Sequence, residues 1–95
     1  MRHYEIMFIV RSDATEEERK NLVATLEKTF TDNKATITLS KEMGQKELAY
    51  EIKNHKSGYY FLINVESASE AINEFDRVAL ISEEVIRHLV IKLDK

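Results

Sequence analysis

Two stretches of this 95-residue chain are apolar in both phases of a strand, which narrows the folds open to it. In residues 3–10, Tyr4, Ile6, Phe8 and Val10 take one phase, while Met7 and Ile9 share the other with Glu5. In residues 59–65, Phe61, Ile63 and Val65 alternate with Tyr60, Leu62 and Asn64. Neighbouring side chains of a strand point to opposite faces, so both stretches belong inside a sheet that meets apolar matter on its two sides. The remaining residues have to supply flanking strands and at least one covering layer.

Helices provide that layer. Thr15-Glu16-Glu17-Glu18 is a capping box with three carboxylates in the first turn, where they complement the helix dipole. Leu22, Val23, Leu26 and Phe30 form the apolar stripe behind it, with the Glu16–Lys20 pair on the wet side. The helix is expected to stop near Asp32-Asn33, with Asn33 in the left-handed conformation. A second, shorter helix carries Ile72, Phe75, Val78 and Ala79 on its stripe, with Ser67 or Ser69 as its cap.

Three further segments read as strands or their connections. Residues 35–39 place Ile37 and Leu39 inward and Thr36 and Thr38 outward. Residues 44–52 alternate Leu48, Tyr50 and Ile52 against Glu47 and Glu51. Together with the connection at 53–58 and the strand from Tyr59, they make a long, bent hairpin. The chain has two glycines and no proline, and both glycines, Gly44 and Gly58, fall in this hairpin. Each marks a bulge, a turn or a close backbone approach. Residues 85–93 form the last strand, with Ile86, His88 and Val90 on one face and Arg87, Leu89 and Ile91 on the other.

The order β, α, β, β, α, β predicts a ferredoxin-like α+β fold: a four-stranded antiparallel sheet with two helices on one face, built as a single domain over residues 1–95. Its first and third strands are central, and they are the two with apolar residues in both phases. Two helices cover one face only. Met7, Ile9, Tyr60, Leu62, Leu89 and Ile91 therefore lie on a face without an internal partner, and contiguous apolar surface of that kind marks an interaction site.

Net charge is −3, yet it is segregated along the chain. Residues 34–56 carry five lysines against three glutamates, whereas residues 66–84 carry six carboxylates and one arginine. The sheet side is expected to be basic relative to the helix side. Without cysteine there is no thiolate metal site, disulfide or thiol nucleophile. His3, His55 and His88 are far apart in sequence and lack partners at ligand spacing, so no catalytic residue, metal or cofactor is expected. No apolar run reaches membrane-spanning length and the N-terminus lacks a signal-type stretch, which points to a soluble cytoplasmic protein.

Four segments together carry a family resemblance: Met1-Arg2-His3-Tyr4-Glu5-Ile6, residues 43–52 (Met-Gly-Gln-Lys-Glu-Leu-Ala-Tyr-Glu-Ile), Gly58-Tyr59-Tyr60, and residues 85–91 (Val-Ile-Arg-His-Leu-Val-Ile). Along its whole length the chain resembles the bacterial small-subunit ribosomal protein six family. The resemblance implies a ferredoxin-like, non-enzymatic component of the small subunit in the cytoplasm. It also implies binding to small-subunit ribosomal RNA together with ribosomal protein eighteen, as a heterodimer, with no membrane and no small-molecule substrate. The candidate RNA-binding residues are Arg2, His3, Lys46, Arg87 and Lys92. The candidate partner-binding residues are Met7, Ile9, Tyr50, Tyr60, Leu62, Leu89 and Ile91.

The chain departs from the family pattern in the central segment. A pair of basic residues becomes Lys46 and Glu47, and a proline becomes Glu51. Glu47 would repel phosphate and is assigned to a protein partner or solvent, and Glu51 restores an amide donor that lets the strand pair more regularly. The alternative reading is a homo-oligomeric ferredoxin-like small-ligand module or enzyme that closes its sheet face on a second copy. It requires a pocket with convergent polar groups, and no such set stands out in the sequence.

Overall fold

A computed structural model describes residues 2–52 and 55–93. The elements are β1 (Arg2–Arg11), α1 (Glu16–Asp32), β2 (Thr36–Ile52), β3 (His55–Ser67), α2 (Ser69–Ile81) and β4 (Val85–Lys92). They form one antiparallel sheet of order β2-β3-β1-β4, with β1 and β3 central as their doubly apolar patterns require. Both helices pack on one face, and the arrangement is ferredoxin-like.

The core lies between that face and the helices. Ile6, Phe8 and Val10 of β1 and Leu26, Phe30 and Phe75 of the helices are fully buried there. Phe8 stacks on Phe61 at 5.1 Å between ring centroids, and Phe30 on Phe75 at 5.2 Å. Each such side chain contributes about 1.5–3 kcal/mol by leaving water.

The capping box forms as its sequence predicts. Thr15 Oγ1 accepts from the Glu18 amide at 3.1 Å, and the Thr15 amide donates to the Glu18 carboxylate at 2.8 Å. The far end of α1 differs. Lys34, not Asn33, takes the left-handed conformation, at φ +64°. The Lys34 amide donates to Thr31 O and the Ala35 amide to Phe30 O, the two bonds of a Schellman turn, while the Asn33 side chain donates to Thr29 O. Ala35 is buried in the same core cluster as Phe30, and that burial fixes which residue takes the turn. Neither Ser67 nor Ser69 caps α2, because its N-cap is Ala68 and no side chain bonds the first amides. Ser67 ends β3 facing the core, fully buried, and its hydroxyl donates to Ala68 O instead.

Four further expectations differ, the first two through bulges. A register shift between Ile37 and Leu39 places Leu39 opposite Asn64, so Leu39 faces away from the helices and is exposed. A shift in β4 sets Val85, not Ile86, opposite Val10 and in phase with His88 and Val90. The connection expected at 53–58 is shorter, since β3 begins at His55 and Ser57 and Gly58 already pair with β2; Lys53 and Asn54 lie outside the described residues. Arg2 is likewise the first residue of β1 rather than a residue preceding it.

Candidate functional site

The face opposite the helices is a lattice of cross-strand rows, read from β2 through β3 and β1 to β4. One row is Gly44, Tyr60, Ile9 and Arg87; the next is Lys41, Leu62, Met7 and Leu89; the next is Leu39, Asn64, Glu5 and Ile91. Thr36, Glu66 and His3 close the series. All six apolar residues assigned to this face from the sequence are on it, and Leu39 joins them. Leu89 and Ile91 are exposed, while Met7, Tyr60 and Leu62 are half-buried.

Ile9 is the exception, since it is only 7% exposed. The hairpin supplies its cover. At the end of the β2–β3 ladder, residues 48–51 oppose Lys56 alone, so β2 leaves regular pairing there. Glu51 therefore does not restore a regular ladder as expected. An earlier shift between Glu42 and Gly44, with Gly44 at φ +91°, already bends the strand. The excursion carries Leu48 and Tyr50 over the sheet, where they meet Met7, Ile9, Tyr60 and Leu89 around a hollow of about 240 Å³. The Tyr50 hydroxyl accepts a hydrogen bond from Arg87 Nη1 at 3.3 Å. Because strands lie about 4.8 Å apart, the tip reaches roughly 14 Å across the sheet to make that bond.

Below this hollow the packing is tight. A β-carbon on Gly58 would sit 2.5 Å from Ile9 Cγ2 and 3.0 Å from Val10 O, with Ile86 Cδ1 at 3.6 Å. Gly58 is thus the close-approach glycine and Gly44 the bend, the two uses the sequence left open.

The five candidate RNA-binding residues do not converge. Arg2, His3 and Lys92 lie at one end of the sheet, where the Leu93 amide donates to His3 O and Lys92 stands opposite Tyr4. Arg87 stands opposite Ile9, five residues further along β1 and so about 17 Å away. Lys46 is near that second end, its Nζ 5.7 Å over the Tyr60 ring. His3 Nε2 is 3.4 Å from the Glu66 carboxylate across the strand pair. The exposed Arg2 and Lys92 make no ion pair among the described residues.

Sequence reasoning missed Leu39, Lys41 and Leu48 on this face. For Leu39 and Lys41 the cause is the bulge before them, which has no local sequence signature. Leu48 alternates in sequence as an ordinary strand position, and only the curled hairpin brings it over Ile9.

Behind the sheet, the helix side is held by its own ion pairs. Arg11 contacts Asp13 and Glu18, Lys20 contacts Glu16, and Arg77 contacts Glu74. His88 Nε2 sits 3.2 Å from Asp76 and packs edge-on against Phe75, which makes it the satisfied histidine its pattern suggested. Among the described residues there is no cluster of three or more His, Cys, Asp or Glu suited to a metal ion, and no helix is long and apolar enough to cross a membrane.

A sheet backed by helices on one side and apolar on the other defines a ferredoxin-like structural module rather than a reaction centre. The family model described as Ribosomal protein S6 matches residues 3–92. Among solved structures, the chain is similar to the 30S ribosomal protein S6 of Thermotoga maritima, with 33% sequence identity and a TM-score of 0.91 over 96% of this chain and 86% of that one. The chain belongs to the ribosomal protein S6 family. It is a component of the small ribosomal subunit, acting in translation on the cytoplasmic ribosome, and not an enzyme.

Proposed function

We propose that the chain, folded as one domain over residues 1–95, binds small-subunit ribosomal RNA as half of a heterodimer with ribosomal protein eighteen. The observation that carries this reading is the open sheet face, whose two middle rows present Leu62, Met7, Leu89, Leu39 and Ile91 with no covering layer among the described residues. Tyr50 and Tyr60 extend that docking surface at the hairpin end, and Ile9 forms its floor. Arg2, His3 and Lys92 form the RNA-facing end, and Lys46 and Arg87 border the partner face at the other. With net charge −3 and few phosphate contacts, the chain alone binds RNA weakly, and the partner supplies the remaining cations.

Gel filtration and RNA titration, each with and without the partner, test the reading. A stable one-to-one complex that binds RNA far more tightly than either protein supports it. RNA affinity unaffected by the partner, with a tight self-dimer of this chain, overturns it in favour of a homo-oligomeric module.

A further inference from the structure

Arg87 has the position of a phosphate ligand but the contacts of a brace. It stands on β4, held in the ladder opposite Ile9, and its guanidinium donates to the Tyr50 hydroxyl from the far edge of the sheet. We infer that Arg87 is a positioning residue: it latches the hairpin tip over the sheet and so sets the shape of the docking face.

Three features of the tip make such a latch necessary. Residues 48–51 have lost the one-to-one ladder, so backbone pairing does not fix where they lie. Tyr50 is 66% exposed, so burial of its ring does not fix it either. Among the described residues, the bond to Arg87 is the only side-chain hydrogen bond that residues 47–51 make. The anchor, by contrast, is firm, because Arg87 is paired in the ladder opposite Ile9, which is buried and lies so close to Gly58 that a β-carbon there would meet its Cγ2 at 2.5 Å. A planar guanidinium with several donors suits this role better than a lysine point charge. With the latch closed, the hollow between Leu48, Tyr50, Ile9 and Leu89 exists before any partner arrives, and a pre-formed surface binds without the loss of freedom that ordering a loop entails.

The functional consequence rests on the proposed heterodimer, but the latch is measurable without it. Amide hydrogen exchange of the isolated chain is followed in the wild type, Tyr50→Phe, Arg87→Met and the double variant. Each single change is expected to speed exchange at residues 46–52 about threefold, the loss of one exposed charge-assisted bond, while β1 and α1 stay unchanged. The double variant is expected to be no faster than either single, and Arg87→Lys to recover part of the protection. Unaltered tip exchange in Arg87→Met, or additive effects in the double variant, overturns the latch. With partner and RNA present, Arg87→Met is expected to weaken partner binding about threefold and to leave the salt dependence of RNA binding unchanged. A salt slope shallower by about one phosphate contact returns Arg87 to the RNA and also overturns the latch. If the wild-type chain does not bind the partner at all, the heterodimer fails, and the exchange data still decide the latch.

Discussion

The phenol of Tyr50 and the guanidinium of Arg87 meet at 3.3 Å although their strands occupy opposite edges of the sheet and the residues are 37 apart in sequence. Only a hairpin that leaves its own plane makes that contact, and the two glycines and the bulges of β2 are the means. The opposite sheet face is therefore walled by the hairpin tip at one end and open along the rest.

The glycines separate two kinds of constraint. Gly58→Ala places a methyl group against Ile9 Cγ2 and the Val10 carbonyl, an overpacking that is expected to cost about 1–3 kcal/mol. Gly44→Ala meets no atom within 4 Å but forces a side chain into φ +91°, expected to cost about 1–2 kcal/mol. Urea unfolding of the two variants checks both. Gly44→Asn should be milder than Gly44→Ala, and no such relief is expected at Gly58.

On the docking face, Leu62→Lys and Ile91→Lys should leave the fold largely intact and abolish partner binding, because neither side chain contributes to the helix-side core. Phe61→Ala, one residue away and 4% exposed, should instead lose about 3–5 kcal/mol of stability. Circular dichroism and partner pull-down on the three variants read the contrast. Unfolding by Leu62→Lys or Ile91→Lys would falsify the assignment of faces.

The RNA end is addressed by Arg2→Ala and Lys92→Ala in the heterodimer. Each is expected to weaken RNA binding and to reduce the slope of log affinity against log salt by about one unit. An unchanged slope removes that residue from the RNA contact.

The capping box ties helix stability to pH. Thr15→Ala should destabilise the protein by about 1 kcal/mol, measured by urea unfolding. The Thr15 amide beside Glu18 holds that carboxyl below the ordinary value of 4.5, and hydrogen bonds from Lys20 and Arg77 lower Glu16 and Glu74 in the same sense. The unfolded chain therefore takes up these protons first. The stability they supply is complete above about pH 4.5 and declines as pH falls through the lower folded-state values. Glu18→Gln should make the acid limb of a stability-against-pH curve shallower.

Local chemistry made much of this molecule legible from sequence. Thr15 and Glu18 lie three residues apart and satisfy each other, and the alternation in β1 and β3 fixed both their central places and the face of Met7 and Leu62. The features without a local signature are decided at a distance. Asn33 is the better left-handed residue by type, yet Lys34 takes the turn because the next residue, Ala35, is buried in the core with Phe30. Leu39 alternates correctly with Ile37 until a bulge, set by pairing with β3, reverses its face. Arg87 reads as one more cation on an edge strand until the tip of a distant hairpin comes within reach of it.

The central place of β1 also has a consequence for the order in which the protein can be assembled. Its ladder partners are residues 58–67 on one side and 85–92 on the other, so the first strand to leave the synthesising ribosome is among the last to be enclosed. Until β3 emerges, a nascent chain carries a strand that is apolar in both phases with neither edge paired. A chain cut short before Val85 would keep one of those edges open, as a template for joining a second copy.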